Sequence, residues 1–215
     1  MPPNHVGFIF DDGPNIHADT TARLLDVLGK YQIKAFFCLL GENVERFPEL
    51  TKRIHDEGHI IINHGYSDKW ARRMERDEFL DNLLKGEAAI TAAIGAEIPH
   101  KIYQPHGGFY IREQEMIIKN AGYTMVPGTI RVYDAVNSGK YKQRITRQVI
   151  KKTIKHNGGI LLLHDSRDSH KRMETKLKNK PDCAYNRSWI PDAVEEIIIV
   201  LTNKGYGFNI STLYY

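Results

Sequence analysis

The order of apolar and amphipathic segments predicts an α/β protein built on a distorted (β/α) barrel of seven or eight strands. Short apolar runs alternate with amphipathic segments throughout the 215 residues. Several runs are apolar on both faces, which is typical of parallel strands covered on each side. Polar residues also follow one strand after another at its carboxyl end. Because a barrel collects these ends around one mouth, whereas an open sheet spreads them along an edge, this pattern favours the barrel.

Apolar runs locate the strands, and apolar residues at i, i+3 and i+4 locate the helices. The predicted strands span 6–10, 33–40, 59–63, 101–104, 123–126, 131–134, 159–164 and 208–210. The predicted helices span 20–31, 43–57, 76–94, 111–121, 141–156 and 191–204. Pro191 opens the last helix at a first-turn position, where a missing N–H does no harm. The length fits one domain over residues 1–215.

The composition excludes several classes of protein. A formal net charge of +4 gives no case for a nucleic-acid partner. Two cysteines do not make a disulfide framework. No apolar run reaches the roughly 18 residues of a membrane span, and no nucleotide-binding glycine motif is present. The first strand begins by Val6, so we expect a cytoplasmic protein if the chain is complete, and a secreted or cell-envelope protein if a leader was removed.

Two adjacent carboxylates, Asp11 and Asp12, end the first strand and are followed by Gly13 and Pro14. Like charges repel, and burying even one is costly unless a positive group pairs with it. The pair therefore either points into water or has a cation beside it.

A second polar cluster follows the third strand. His64 ends this strand, and Asp68 comes four residues later. If residues 64–68 form a helical turn, these two side chains face the same way. Together with a carboxylate from the first strand they would make a three-ligand metal site with one position open for water, as in catalytic zinc sites.

His164 ends the apolar run GILLLH. One interpretation is a hydrogen-bonded core histidine. The other is a general acid at the barrel mouth, since the pKa of imidazole lies near neutrality. Asp134, at the end of another predicted strand, could orient that imidazole.

In order along the chain, these segments resemble the polysaccharide deacetylase family, the NodB-homology carbohydrate esterases of family 4, from Val6 to about Leu213. The resemblance rests on FDDGP at 10–14, on the stretch from Lys34 to His64, on LLH at 162–164 and on the closing helix and strand at 192–211. It implies a NodB-like barrel. It also implies these roles: Asp11 as catalytic base, Asp12 and His64 as metal ligands, Leu162 as a wall of the acetyl pocket, His164 as general acid and Asp134 as its partner.

Three departures from the family pattern matter. Asp68 stands where the family has a second histidine ligand, and a carboxylate is still an acceptable ligand. The family's RPPYG is replaced by Gln104-Pro105-His106-Gly107-Gly108, and we expect the first four of these residues, together with Leu162, at the substrate. Gln104 can donate a hydrogen bond to the base without charge, and the Gly107 N–H can still donate to an oxyanion. His106 is interpreted as an extra ligand, a sugar contact or an incidental loop residue, in rising order of weight.

The last departure is Ala135, which replaces an aromatic wall of the groove.

The main hypothesis is a hydrolase that removes N-acetyl groups, less favourably O-acetyl groups, from a chitin- or peptidoglycan-like glycan. It would use one divalent ion held by Asp12, His64 and Asp68: zinc first, with manganese, cobalt or nickel as alternatives. Its partner would be an acetylated sugar, including an anionic one. Two alternatives stay open, a non-catalytic glycan-binding domain and a hydrolase of a small-molecule amide.

The stretch 165–189 is rich in lysine and arginine. We predict a solvated loop, because most charge runs are only that. The alternative is a basic flap over the barrel mouth that attracts an anionic glycan.

Overall fold

The computed structural model describes residues 3–126 and 129–210. The strands are β1 (His5–Gly13), β2 (Phe36–Leu39), β3 (Ile60–Asn63), β4 (Ile102–Tyr103), β5 (Thr124–Met125), β6 (Ile130–Arg131), β7 (Gly158–His164) and β8 (Gly207–Phe208). The α-helices are α1 (Thr20–Lys30), α2 (Gly41–Arg46), α3 (Pro48–Asp56), α4 (Arg76–Ile94), α5 (Arg112–Asn120), α6 (Lys142–His156), α7 (His170–Asn179) and α8 (Ile190–Thr202).

The strands form one parallel sheet in the order β5-β4-β3-β2-β1-β7-β6, and β8 pairs with β1. The sheet curls into a half-barrel surrounded by helices. The predicted distorted barrel is therefore confirmed. In this strand order β5 and β6, which follow each other along the chain, stand at opposite ends. Among the residues that the structure describes, no hydrogen-bonded pairing joins them, so the barrel is open on that side.

The central strand β1 is buried on both faces, which explains its unbroken apolar run. Val6, Phe8 and Phe10 pack in one cluster with residues of α1 and α8. Ile9 belongs to a second cluster built from strand residues, including Leu162, and this cluster fills the concave side of the sheet. Side chains of successive strand residues point to opposite faces. The odd-numbered residues of β1 therefore face the barrel interior.

Three segments differ from the predictions. The strand predicted over 131–134 is β6, which ends at Arg131, and Asp134 begins a 3-10 turn instead of ending the strand. The helix predicted over 43–57 is divided into α2 and α3 at Phe47, because Pro48 lacks the N–H that a continuous helix needs and is tolerated only in a first turn. The solvated loop predicted over 165–189 is wrong in part, since it contains α7. This helix buries Met173 and Leu177 against the body of the protein.

The longest predicted helix is confirmed at the predicted bounds, as α4. It ends at Gly95, whose backbone φ of +71° is typical of a glycine that terminates a helix. Among the helices in the described ranges, none is long and apolar enough to cross a membrane.

Candidate active site

A β-bulge at the end of β1 brings both carboxylates to the mouth of the half-barrel. In the pairing with β2, Asp11 is opposite Cys38 and Gly13 is opposite Leu39, so Asp12 is an extra residue. Its backbone φ is +71°, in the left-handed region. Neighbouring strand residues would otherwise face opposite sides. The bulge turns Asp12 so that it lines the same cleft as Asp11.

His64 directly follows β3, and its Nε2 atom faces the carboxylate of Asp12. Its Nδ1 lies 2.7 Å from the backbone oxygen of Gln104. Because a carbonyl oxygen only accepts, Nδ1 carries the proton, and the Nε2 lone pair is directed 3.3 Å from Asp12 Oδ1. Gly86 of α4 allows this segment to lie close to the helix, since a Cβ there would stand 2.8 Å from the Gly65 carbonyl carbon.

His106 completes a group of three possible ligands. Its Nδ1 also lies 3.3 Å from Asp12 Oδ1, and its ring centroid is 5.2 Å from that of His64. One ligand atom from each of the three side chains lies within 4.8 Å of the others. The His106 Nδ1 is buried without a hydrogen-bond partner in the described structure. One carboxylate oxygen and two imidazole nitrogens suit a divalent transition ion, so these residues fit a metal site.

The third member of this group differs from the sequence prediction, which used Asp68. Residues 66–69 form a bend rather than the helical turn that would align Asp68 with His64, and Gly65 has a backbone φ of +85°. Asp68 Oδ2 instead pairs with Arg172 Nη1 at 3.2 Å. The ligand group that the described residues bring together contains His106 in its place.

Asp11 stands beside this group with one oxygen held and one free. Gln104 Nε2 donates to its Oδ2 at 2.5 Å, which is the uncharged hydrogen bond expected at this position. Within the described residues, the Asp11 Oδ1 is buried and has no hydrogen-bond partner. Burial raises the pKa of Asp11. A carboxylate with one aimed and one available oxygen can accept a proton from a water in the cleft.

His164 faces Asp11 from the end of β7, with Nε2 4.0 Å from Asp11 Oδ2. Its other ring nitrogen, Nδ1, lies 3.0 Å from Asp134 Oδ1, and its backbone N–H donates to Asp134 Oδ2 at 2.8 Å. Burial alone would lower the pKa of His164, but the Asp134 carboxylate outweighs it and raises the pKa to about 9. The Asp134 carboxylate thus favours the protonated imidazole, which can donate from Nε2.

Arg187 is a functional side chain that the sequence did not single out from its basic stretch. It is fully buried, and its Nη2 donates to Asp134 Oδ2 at 2.5 Å. Its Nε donates to the His164 carbonyl oxygen at 3.1 Å. The Arg187 guanidinium thus holds the Asp134 carboxylate in place. It also holds the backbone of His164, whose imidazole Asp134 orients. The sequence offers one sign that Arg187 is buried, which is Trp189 two residues later. In the structure, the Arg187 Cζ atom lies 4.8 Å from the centroid of the Trp189 ring.

The cleft over these side chains has a volume of about 500 Å³. Leu162 and Gly107 line it, and Pro105 lines a neighbouring cavity. Ala135 also lines the cleft, and larger apolar side chains form other parts of its wall. These side chains are those of Trp70, Phe109, Tyr133 and Val136.

A carboxylate that faces an imidazole at the mouth of a parallel half-barrel can accept and donate protons, which is the chemistry that a hydrolase needs. The model of the family described as "Polysaccharide deacetylase" matches residues 1–126, which is more than half of the chain. The chain belongs to the polysaccharide deacetylase family.

Three similar proteins extend this result. A peptidoglycan-N-acetylglucosamine deacetylase of Bacillus cereus is 29% identical over 203 residues, which are 94% of this chain and 65% of that protein. The chain thus spans about two thirds of the length of this relative. The crystal structure of the Bc1960 peptidoglycan N-acetylglucosamine deacetylase superposes with a TM-score of 0.77 at 28% identity, covering 97% of this chain and 86% of that one.

A family 4 acetyl xylan esterase from Clostridium thermocellum in complex with a cobalt ion superposes with a TM-score of 0.73 at 26% identity. The superposition covers 95% of this chain and 87% of that one. Both structural matches extend well beyond residue 126, so the similarity includes the part of the fold that contributes Asp134 and His164.

Proposed function

We propose that this protein is a metal-dependent hydrolase that removes N-acetyl groups from an amino-sugar glycan of the peptidoglycan or chitin type. One observation carries the proposal: Asp11 and His164 face each other across 4.0 Å beside the Asp12–His64–His106 group. A base, an acid and a candidate metal site thus share one cleft. The similarity to a peptidoglycan-N-acetylglucosamine deacetylase supports the choice of substrate.

Asp12, His64 and His106 would hold the ion, for which we propose zinc, with manganese, cobalt or nickel as alternatives. The donor set suits these ions, and the acetyl xylan esterase that resembles this chain has a cobalt ion. When bound, a divalent ion supplies Lewis-acid polarisation of the acetyl carbonyl and increases the acidity of water.

The residues of the chain itself account for each proton. Asp11 Oδ1, which has no partner within the described structure, accepts the proton of the attacking water. The Gly107 N–H donates to the carbonyl oxygen as negative charge develops there. His164 Nε2 then donates a proton to the departing nitrogen while the C–N bond breaks, leaving acetate and a free amine. Asp134 and Arg187 keep the imidazole oriented throughout.

An N-acetyl group is favoured over an O-acetyl group by the state of His164. An amine leaves only if its nitrogen is protonated, and the Asp134 carboxylate favours the protonated form of His164. Trp70, Phe109 and Tyr133 provide apolar surface on which a sugar ring can pack.

The proposal is tested by measuring acetate release from chito-oligosaccharides and from solubilised peptidoglycan strands, with zinc supplied and with zinc removed by a chelator. We expect release that requires the metal and that is lost in Asp11→Asn. Asp26→Asn is the matched control, since this exposed carboxylate pairs with Arg53 outside the cleft. Release that persists in Asp11→Asn, or no release from any acetylated glycan with any of the four ions, would refute the proposal.

A further inference from the structure

Asn43 is a buried side chain that contacts the β-bulge at the end of β1. It lies in the first turn of α2 and is 1% exposed. Its Nδ2 atom donates a hydrogen bond to the backbone oxygen of Asp12 at 2.9 Å. Asn43 is not among the described residues that line the active-site cleft. It therefore reaches a proposed metal ligand from behind, through the protein interior.

The amide of Asn43 joins this bulge to the start of α7. Its Nδ2 atom also lies 3.3 Å from the backbone oxygen of Asp168, and its Oδ1 atom accepts from the backbone N–H of His170 at 2.9 Å. The first N–H groups of a helix have no partner within the helix. In the described structure, Ser169 at the N-cap of α7 makes no capping hydrogen bond with its side chain. Asn43 thus caps α7 from outside and bonds it to the bulge.

The backbone of Asp12 has a conformation that needs support. Its φ of +71° lies in the left-handed region, which is unfavourable for a residue with a Cβ and persists only where the surrounding structure fixes it. The Leu40 N–H donates to the backbone oxygen of Gly13 at 3.1 Å. Together with the bond from Asn43 to the Asp12 oxygen, this holds two successive peptide groups of the bulge.

The same end of α2 also holds the segment that follows His64. The first two N–H groups of α2, those of Gly41 and Glu42, donate at 2.9 Å to the backbone oxygens of residues 65 and 66. The start of α2 is therefore bonded to two of the segments that carry proposed ligands. The bond from Asn43 is made by a side chain, so a substitution can remove it while the main-chain bonds stay.

Resting on the proposed function, we propose that Asn43 is a positioning residue of the metal site, because it fixes the backbone of Asp12. The Asp12 Oδ1 atom lies 3.3 Å from both His64 Nε2 and His106 Nδ1, and this placement depends on the conformation of the bulge. Residues that orient a ligand contribute to metal affinity although they do not bind the ion. Without the Asn43 amide, the Asp12 carboxylate would spend less time within reach of both imidazoles.

Zinc titrations with a competing chelator test this role in Asn43→Ala, with Gln114→Ala as the matched control. Gln114 is also 1% exposed, and its amide likewise donates to two backbone oxygens and accepts from one backbone N–H. Its partners are Ala71, Met74 and Ile111. We expect Asn43→Ala to weaken zinc binding by roughly 10- to 100-fold and Gln114→Ala to stay within about twofold of the parent. A merely structural role would give the two variants equal zinc affinities, which would overturn the inference.

A double-mutant cycle tests whether Asn43 acts through Asp12. In an Asp12→Ala background, Asn43→Ala should change zinc affinity by less than about twofold, because the carboxylate that it positions is gone. In a His106→Ala background it should keep most of its effect, because Asp12 is still present. A general loss of stability would instead weaken zinc binding to the same extent in both backgrounds. That outcome would overturn the inference.

The zinc measurements also separate this inference from the proposed function. If zinc affinity differs between Asn43→Ala and Gln114→Ala while the parent releases no acetate from any glycan, the proposed reaction is overturned and the positioning role stands. If the parent releases acetate while the two variants bind zinc equally, the positioning role is overturned and the proposed reaction stands.

Discussion

The side-chain amide of Gln104 donates to Asp11 Oδ2 at 2.5 Å. The backbone oxygen of the same residue accepts from His64 Nδ1 at 2.7 Å. One residue at the end of β4 therefore aims the proposed base and also fixes the ring orientation of a proposed ligand. A change confined to its side chain should affect the base and leave the ligand in place.

Gln104→Leu should lower kcat by roughly 10- to 100-fold with little change in KM, because Asp11 loses the donor that aims it while the cleft keeps its shape. Steady-state rates of acetate release measure both constants. Gln148→Leu, on α6 and outside the cleft, should leave them unchanged. A rise in KM alone would show that Gln104 acts on substrate binding and not on the base.

His106→Ala should reduce zinc affinity by at least tenfold, because it removes one of three proposed ligand atoms. Asp68→Ala should keep the affinity of the parent protein, since Asp68 pairs with Arg172 outside the ligand group. Zinc titrations with a competing chelator measure both. A larger loss of zinc affinity in Asp68→Ala than in His106→Ala would instead support Asp12, His64 and Asp68 as the ligands, which is the set that the helical-turn interpretation predicts.

Arg187→Gln should destabilise the protein by about 3–5 kcal/mol, because it leaves the buried Asp134 carboxylate without its guanidinium. Arg23→Gln breaks an ion pair whose side chains are 41% and 50% exposed, and should cost less than about 1 kcal/mol. Urea unfolding followed by circular dichroism gives both free energies. Similar losses in the two variants would contradict a structural role for the buried pair.

His59 should make the folded protein less stable in mild acid than at neutral pH. Burial is the main cause that lowers the pKa of His59 to about 4, from 6.5 in an unfolded chain. Below pH 6.5 the unfolded state takes up a proton that the folded state does not bind. The free energy of unfolding should therefore fall by up to about 3 kcal/mol between pH 6.5 and pH 4.

Unfolding curves at several pH values, for the parent protein and for His59→Gln, isolate this contribution from that of other groups. The variant should lose less stability than the parent over the same range. Parallel pH profiles would show that His59 takes up its proton equally in both states.

The order of elements could be predicted because it depends on patterns within short segments. The alternation of apolar runs locates the strands, and the i, i+3, i+4 spacing locates α4 at its bounds. Helix α7 was missed for the same reason. Met173 and Leu177 are isolated apolar residues among many lysines and arginines, so no local pattern distinguishes a packed helix from a solvated loop.

The ligand group could be predicted only in part, because its third member depends on contacts between distant segments. Asp12 and His64 stand at strand ends that the apolar runs mark. His106 reaches them because β4 pairs with β3 and because Gly107, with a backbone φ of +80°, turns the chain sharply after it. Neither the pairing nor the turn is visible as a local spacing, whereas the four-residue spacing to Asp68 is visible and misleading.

Because Asp12 is an extra residue in β1, the chemistry at the mouth of the half-barrel depends on the number of residues at this point of the strand as well as on their types. Deleting Gly13 would restore strict alternation by placing Asp12 opposite Leu39, and only one of the two acids would still face the cleft. A homologue could thus keep every other side chain of the site and still lack a base or a ligand. When such chains are compared, the number of residues between Phe10 and Pro14 is as informative as the identity of each.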